Sequence, residues 1–578
     1  MAYIVKKIVR GRTYYYAAQS ARVDGSPRIV WQKYLGTLED IIKKADKTPQ
    51  DNTEKEAVIF DAGGVAAMLG IADEIQLTKI IDEIIPKGGR GPSVGQYILL
   101  AAINRVLAPC SKLQMPDWYE DTILFRLWKY PKEDFNSQRF WDHMDLFSEE
   151  KINEIQEKII FHVKDTFKIN PRVILYDTTN FFSYIATNNT RNTIAQRGRQ
   201  KQKRNDLRQI GLALLVSEEF QIPLFHRAYQ GNFADQGLFP KIIAEIKKSY
   251  NKVFDKSESA QSTLVYDKGN ISEDAQEGLI ISQQAFICAV PKHLLLELFE
   301  TPIDKLQQVH GMSGTKAVTF LDVKIWNSEL KAILVYTESF FFADLTDLTQ
   351  TLQKCEQKLR DLNQSFSKWE KKAHHKNRPT LQSALKSAKE IINIRYVNEI
   401  INIDVVIKNE IPFINYSVDQ NKLDKIVKHQ LGRTLLITSR LEWSENEVIS
   451  AYRGLNRIEN AFKHMKHRDF LHWYPSFHWT DQKIHVHALY CVLALLLATL
   501  AHKKVVEQGM DITLLNMVEE LSDIREIAVI YSKEDNSKQK DEIIISKMSP
   551  PQKKLAEILD IQKYFISTTK KTIQPADN

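Results

Sequence analysis

The spacing of apolar residues changes along the chain and separates segments of different secondary structure. Residues 1–40 alternate polar and apolar positions around Asp24-Gly25-Ser26, which predicts a small hairpin. Between residues 58 and 168 apolar side chains recur every three or four positions, which predicts helices. From residue 170 onward, short runs of β-branched and aromatic residues replace that spacing and predict strands.

The predicted strands have a recognisable order. A helix is expected from Asp235 through Tyr250, another helix after residue 269, and the strands cover 173–185, 209–219, 222–231, 263–269 and 285–291. Three strands, a helix, a strand, a helix and a strand is the order of an RNase H-like domain. Its first three strands are antiparallel, and its later strands join through helical crossovers. The pattern therefore predicts an α/β fold with an RNase H-like catalytic core, which is a mixed five-stranded sheet with helices.

Residues 292–430 interrupt this alternation. They contain strand-like pieces, a long charged helix near 346–373 and a basic linker, which together predict an α+β insertion. A strand at 433–439 is expected to return to the main sheet. The predicted regions are an N-terminal hairpin and linker (1–57), a mainly helical region (58–168), the first part of the core (169–291), the insertion (292–430), the second part of the core (431–510) and a C-terminal region with a tail (511–578).

Composition and charge narrow the class of protein. The chain has 578 residues, of which 43% are hydrophobic and 26% charged, as in soluble globular proteins of several domains. The net charge of +7 permits an anionic partner without requiring one. The four cysteines lie far apart with no C-x-x-C pair, which fits a reducing cytoplasm. The apolar run 488–501 is too short to span a bilayer and predicts a buried helix, so we expect a cytoplasmic protein that binds no membrane.

Two aspartates occupy unusual places in the predicted sheet. Asp177 in VILYDTT and Asp267 in TLVYDKG each follow a tyrosine and end a β-branched run, where a strand meets the edge of a sheet. A buried aspartate costs several kcal/mol unless it is paired, hydrogen-bonded or metal-bound. Each aspartate alone is explained equally well as a turn cap. Two matching instances in one sheet favour a functional role.

A third acid stands on a predicted helix. Ser444 and Glu447 form a capping box that predicts the start of this helix. Glu459 lies on or beside its inward stripe, and an intrahelical pair with Lys463 does not explain that placement. The stripe is formed by Val448, Tyr452, Leu455, Phe462 and Met465.

Two aspartates and one glutamate would make a hard, all-oxygen ligand set. Such a set suits Mg²⁺ or Mn²⁺ rather than zinc. Two such ions, roughly 3.5–4 Å apart, activate the attacking oxygen and stabilise the leaving oxygen of a phosphodiester displacement. The three acids therefore predict metal-dependent phosphodiester chemistry with two Mg²⁺ or Mn²⁺ ions.

Four segments resemble the DDE transposases of bacterial insertion sequences. They are YDTTNFFSY, VYDKGNIS, YRGLNRIENAFKHMK and HWYPSFHWTDQKIHVHALYCVLALLL, and the likeness runs from about residue 170 to 500. It is nearest to the subgroup with a domain inserted before the catalytic glutamate and a motif of Tyr, two residues, Arg, three residues, Glu, six residues and Lys. Tyr452, Glu459 and Lys466 match this spacing. Leu455 stands at the arginine position, and neither Arg453 nor Arg457 is assigned in its place.

The resemblance implies a function and a set of site residues. Asp177, Asp267 and Glu459 would be the catalytic metal ligands, and Tyr452 and Lys466 would contact DNA phosphates near the cleaved end. The enzyme would cut element ends and transfer them to target DNA in the bacterial cytosol, associated with the nucleoid when bound to DNA. Its partners would be double-stranded DNA and a second copy of the chain in a homodimeric synaptic complex. End recognition would fall to the N-terminal region, including residues 58–168.

Further cations are predicted to bind the DNA backbone. Lys463 shares the side of the helix that carries Glu459, and a basic run at 191–208 lies between the first two predicted strands. Such a run is commonly a solvated loop, but beside a phosphodiester site it is placed to neutralise phosphates. The residues expected to act in this way are Arg197, Arg199, Lys201, Lys203, Arg204 and Arg208. Two other functions remain open: a nuclease without strand transfer, and a DNA-binding protein that has lost catalysis.

Overall fold

The computed structural model describes most of the chain. The described residues are 2–9, 12–23, 26–38, 55–169, 171–186, 188–198, 204, 206–233, 235–254, 258, 261–369, 378–474, 476–531 and 542–565. The chain divides into two compact units. One unit comprises 1–59, 527–544 and 567–578, and the other comprises 60–526 and 545–566.

Strands occur in both units. In chain order they are β1 (Ala2–Val9), β2 (Arg12–Val23), β3 (Ser26–Gly36), β4 (Lys55–Asp61), β5 (Val173–Ser183), β6 (Arg208–Ser217), β7 (Pro223–Gln230), β8 (Thr263–Tyr266), β9 (Ala285–Ala289), β10 (Gln307–Gln308), β11 (Thr315–Ile325), β12 (Ser328–Thr337), β13 (Ile401–Lys408), β14 (Ile411–Val418), β15 (Arg433–Thr438), β16 (Arg525–Tyr531) and β17 (Glu542–Ile545).

Helices dominate the larger unit. In chain order they are α1 (Gly63–Glu74), α2 (Leu77–Ile84), α3 (Val94–Leu107), α4 (Met115–Glu120), α5 (Ile123–Trp128), α6 (Ser137–Met144), α7 (Glu149–Phe167), α8 (Asp235–Val253), α9 (Glu273–Ile281), α10 (Leu296–Phe299), α11 (Glu338–Ser367), α12 (Leu381–Ile392), α13 (Val397–Ile400), α14 (Gln420–His429), α15 (Glu445–Arg453), α16 (Leu455–Lys466), α17 (Asp481–Glu507), α18 (Leu514–Ser522) and α19 (Pro550–Ile558).

The N-terminal segment confirms the predicted hairpin and adds a strand to it. β1, β2 and β3 form an antiparallel sheet in that order. Val23 pairs with Ser26 across the predicted turn, whose residues 24 and 25 lie outside the described part of the chain. A second sheet has the order β17-β16-β4. Residues 58–61 belong to β4, and the rest of the region predicted to be mainly helical contains helices from Gly63 to Phe167.

The larger unit contains a mixed sheet in the order β10-β11-β12-β15-β9-β8-β5-β6-β7. As predicted, β5, β6 and β7 are antiparallel, whereas β8 pairs in parallel with both β5 and β9. β15 returns to this sheet beside β9. The predicted strand number is wrong, because the sheet has nine strands rather than five. β12 pairs with β15 over six residue pairs and carries β11 and β10 with it, so the sheet continues beyond the predicted core.

Much of region 292–430 packs around a hydrophobic cluster of its own. The cluster draws on α11, α12, α13, α14, β13 and β14. The long helix predicted near 346–373 is α11, which begins eight residues earlier, at Glu338. Phe341, Leu345 and Leu348 pack on the cluster at spacings of four and three residues, which is the periodicity of a helix. The division of the chain into six regions stays a prediction.

α17 forms the centre of the helical layer and confirms the predicted buried helix. Its 27 residues are long and apolar enough to cross a membrane, yet its most apolar window is 100% buried inside the protein. α3 packs against it and contributes a buried arginine, Arg105. The guanidinium of Arg105 donates to the backbone oxygens of His472 (3.2 Å) and Tyr474 (2.7 Å). These bonds hold the segment that leads from α16 to α17.

Candidate active site

The two strand aspartates lie side by side at one place in the main sheet. Tyr176 of β5 pairs with Tyr266 of β8 in parallel register, so Asp177 and Asp267 are the next residues on neighbouring strands. Adjacent strands are about 4.8 Å apart. β8 ends at Tyr266, while β5 continues to Ser183 within the strand predicted over 173–185. A gap opens in the sheet beside Asp177 because β8 stops there. Both aspartates are half-buried.

Glu459 lies on the second of two short helices rather than on one long helix. Ser444 caps α15 with the predicted capping box, but the helix is interrupted at Gly454 and resumes as α16. A Cβ at Gly454 would lie 2.8 Å from the carbonyl oxygen of Ala451, so this break requires glycine.

Glu459 lies beside the side of α16 that faces the core. α16 buries four apolar side chains, and Glu459, next to one of them, is exposed. Of the two placements predicted for Glu459, on or beside the inward stripe, the structure shows the second. The alternative of an intrahelical pair with Lys463 is not found: Lys463 donates to Asn460 Oδ1 at 3.2 Å, and Glu459 forms no ion pair in the described part of the chain. The four buried residues are Ile458, Ala461, Phe462 and Met465.

One cavity of about 890 Å³ joins the predicted site residues. Strands supply two of its acids, α16 supplies the third, and α15 supplies a tyrosine. Apolar side chains from β12, β15 and α15 form part of its wall. The predicted site residues that line it are Asp177, Asp267, Tyr452, Glu459 and Lys466. Leu455, at the position where the resemblance implies arginine, also lines it.

Tyr452 is bound directly to one of the acids. Its hydroxyl donates to Asp267 Oδ1 at 3.0 Å. Burial, and then the negative charge of Asp267, raises the pKa of Tyr452 far above its ordinary value. Tyr452 therefore keeps its proton near neutral pH and fixes the orientation of the Asp267 carboxylate.

Lys466 lies against β5 at the other side of the cavity. Its ammonium donates to Thr179 Oγ1 at 2.5 Å and lies 5.3 Å from the centre of the Phe181 ring. Phe181 stacks on the fully buried Trp473, with ring centres 4.3 Å apart and planes 12° apart. The Trp473 backbone N–H donates to the carbonyl oxygen of Met465 at 2.9 Å. This chain of contacts holds the end of α16 against the strand that carries Asp177.

The other predicted DNA-binding residues do not line this cavity. Lys463 and Arg197 are exposed, Arg204 pairs with Asp206 at 2.7 Å, and Arg208 donates to the carbonyl oxygen of Asn192 at 3.5 Å. Three further residues, Arg199, Lys201 and Lys203, lie outside the described part of the chain.

The cavity also contains an arginine that the sequence did not assign. Arg453 lines it and donates to the hydroxyls of Thr315 (2.8 Å) and Thr337 (3.3 Å). Its position next to Tyr452 was the available signal. Neighbouring helical residues point about 100° apart, so the position of Tyr452 does not place Arg453 in the cavity. Arg453 is held there by Thr315 of β11 and Thr337 of β12, and the place of these strands in the sheet was not predicted.

The donor atoms around the cavity fit a hard divalent cation in their chemistry. Three carboxylates line it, together with Asn270, whose buried Oδ1 has no hydrogen-bond partner among the described residues. Oxygen ligands of this kind suit Mg²⁺ and Mn²⁺. The described residues contain no group of three His, Cys, Asp or Glu side chains arranged around one ion. The carboxylates thus share a cavity without forming a closed ligand set.

Comparisons with known proteins find only loose structural likeness. No protein-family model matches the chain, and no curated protein matches it. A solved structure described as "Cryo-EM structure of piggyBac transposase synaptic complex with hairpin DNA (SNHP)" has a TM-score of 0.34 and 8% sequence identity, covering 81% of this chain and 82% of that chain. A likeness at this TM-score indicates nothing about the activity of this chain.

Proposed function

We propose that the chain is a DNA transposase of an insertion sequence, which binds element ends and catalyses Mg²⁺- or Mn²⁺-dependent strand cleavage and transfer. The observation that carries this proposal is the shared cavity. Asp177, Asp267 and Glu459, singled out at three separate places in the sequence, line it together with the motif residues Tyr452 and Lys466. The strand order β7-β6-β5-β8-β9, with β5, β6 and β7 antiparallel and β8 and β9 parallel to β5, supports an RNase H-like core.

Each lining group has a role in this reaction. Tyr452 holds one oxygen of the Asp267 carboxylate, so that the other is directed into the cavity. Lys466 and Arg453 supply positive charge for phosphate oxygens, and such charge stabilises the additional negative charge of a phosphoryl transition state. Held by Asp177, Asp267 and Glu459, two divalent ions would activate the attacking oxygen and stabilise the leaving oxygen.

The wider assignment follows from the same proposal. Joining a pair of element ends requires two active sites at once, so we propose that a homodimer binds double-stranded element ends and target DNA. The protein would act in a bacterial cytoplasm, where Mg²⁺ and DNA are both present.

Mapping of DNA products tests this function. The full chain would be incubated with Mg²⁺ and the genomic DNA that flanks its gene. We expect cuts at defined ends and products in which a freed 3′ end is joined to new DNA. Cuts without joined products would favour a nuclease, and binding without cuts would favour a non-catalytic DNA-binding protein. Either of these results would overturn the transposase proposal.

A further inference from the structure

A second cavity adjoins the carboxylate cavity and has the opposite charge. Its volume is about 860 Å³, and Tyr452 and Thr434 line both cavities. We call it the basic groove. Six cationic side chains line it against one acid among the described residues, Glu399. The six are Lys268, Lys292, Arg395, Lys422, Lys425 and Arg433.

Two of the six cations hold the wall of the groove. Arg433 is buried, and its guanidinium donates to the backbone oxygens of Phe299 (2.8 Å), Thr301 (2.6 Å) and Lys428 (2.9 Å). The Lys292 ammonium donates to the Tyr396 hydroxyl (2.5 Å) and to the Gln430 carbonyl oxygen (2.9 Å). These bonds connect β15 and the segment after β9 to α13 and α14.

Tyr396 is held in a strained conformation at this wall. Its φ is +67°, which is rare for a residue with a side chain. Its ring lies between two cations, 4.9 Å from the Lys292 ammonium and 4.5 Å from the Arg395 guanidinium. A conformation of this kind costs about 1–3 kcal/mol and persists where surrounding contacts impose it, often at functional sites. The contacts here keep Arg395 at the open side of the groove.

The remaining four cations, Lys268, Arg395, Lys422 and Lys425, are exposed. Lys268 directly follows Asp267, so the positive charge begins beside the carboxylates. Lys425 pairs with Glu300 at 2.7 Å, but exposed pairs of this kind contribute at most about 1 kcal/mol and yield readily to a phosphate. A concave surface lined by charges of one sign concentrates the field and attracts an opposite charge.

We propose that the basic groove binds the phosphate backbone of the nucleotides next to the cleaved bond. This inference rests on the proposed function, because the groove opens into the cavity where cleavage would occur. The contacts would be to phosphates and would carry little sequence information. The phosphates would belong either to a paired strand or to a strand that is unpaired near the cut.

Salt-dependent DNA binding by the full chain tests the groove. The variant is Lys422→Gln/Lys425→Gln on α14, and the matched control is Lys354→Gln/Lys358→Gln, two exposed lysines of α11 that line neither cavity. The probes are a labelled blunt duplex and the same duplex with a single-stranded tail. Because each lost phosphate contact reduces the slope of log affinity against log salt by about 0.7–0.9, we expect a slope smaller by about 1.5 and roughly tenfold weaker binding. The control should bind as the wild type does.

The two probes and a separate cleavage assay make the outcomes distinguishable. A larger loss on the tailed probe assigns the groove to an unpaired strand, and an equal loss assigns it to the duplex. Equal binding by the groove variant and the wild type, or no DNA binding by the wild type, would overturn the groove assignment. Failure of the proposed function shows differently: the wild type would bind DNA but make no cuts with Mg²⁺, whatever the groove variant does.

Discussion

The carboxylate cavity and the basic groove share a wall but are built in different ways. Asp177 and Asp267 are placed by the register of two adjoining strands, and Glu459 by a helix packed on that sheet. The four exposed cations of the groove lie on α14 and on short connecting segments, where long side chains reach a surface without a fixed position. The difference fits the two tasks. Carboxylates that hold catalytic metal ions must be positioned within a fraction of an ångström. Side chains that bind backbone phosphates need only bring positive charge nearby.

The largest expected effect comes from removing one acid of the cavity. Asp177→Asn, Asp267→Asn or Glu459→Gln should lower the rate of DNA cleavage by at least ~10³-fold, because each removes a charged metal ligand without changing the shape of the cavity. DNA affinity, which depends on the groove, should change little. Single-turnover cleavage and fluorescence anisotropy measure the two quantities.

An exposed acid outside both cavities provides the control for these variants. Asp274 on α9 lies seven residues beyond Asp267 and lines neither cavity, so Asp274→Asn should cleave at the wild-type rate. Full cleavage by any of the three cavity variants would show that the acids are not a catalytic set.

A core substitution should loosen the cavity while leaving the groove charges in place. Trp473→Ala removes the ring stacked on Phe181, and truncation of a fully buried tryptophan costs about 3–5 kcal/mol in the free energy of unfolding. Urea unfolding measures this loss. Trp479, which is 56% exposed, is the matched control, and Trp479→Ala should change stability by less than about 0.5 kcal/mol.

At a temperature where the Trp473 variant stays folded, the rate of cleavage should fall more than the affinity for DNA. Equal losses would show that Trp473 does not act through the cavity.

Removing the hydroxyl of Tyr452, a residue that lines both the carboxylate cavity and the basic groove, should slow cleavage less than removing an acid of the cavity. Tyr452→Phe keeps the ring in the wall of the groove but removes the hydrogen bond to Asp267. Hydrogen bonds to charged groups contribute about 1.5–3 kcal/mol, so cleavage should slow by roughly tenfold or somewhat more. DNA affinity should stay the same. A drop in affinity without a drop in the cleavage rate would place Tyr452 with the phosphates rather than with Asp267.

The smallest expected effect is a pH dependence confined to the groove. Burial, and then the nearby charge of Arg395, lowers the pKa of Lys292 to about 7, with Lys268 and Arg433 acting in the same direction and Asp344 in the opposite one. Lys292 is thus charged below pH 7 and neutral above it. DNA affinity should therefore fall several-fold between about pH 6 and pH 8. Lys292→Gln, measured by the same anisotropy titration, should remove this component. An unchanged pH profile in that variant would exclude Lys292 as the titrating group.

Local patterns predicted the elements that carry the acids but not their surroundings. The β-branched runs before Asp177 and Asp267 indicate strands, and Ser444 with Glu447 marks the start of α15, because these signals depend on a few neighbouring residues. The break at Gly454 divides the predicted helix into α15 and α16, and a glycine inside an amphipathic pattern does not reveal whether the helix ends there. The basic groove joins Lys268 to Lys425, residues more than 150 positions apart. No local sequence pattern predicts that these residues line the same groove, because the groove forms only when α13 and α14 pack beside β15.

Crystals of the full chain grown with Mn²⁺ would show whether the carboxylate cavity binds divalent ions, because the anomalous signal of the metal locates it without an activity assay. We expect anomalous peaks in the carboxylate cavity that contact Asp177, Asp267 and Glu459, and the loss of at least one peak in Asp267→Asn. Mn²⁺ bound only elsewhere on the chain, or peaks in the cavity that are unchanged in Asp267→Asn, would contradict this expectation.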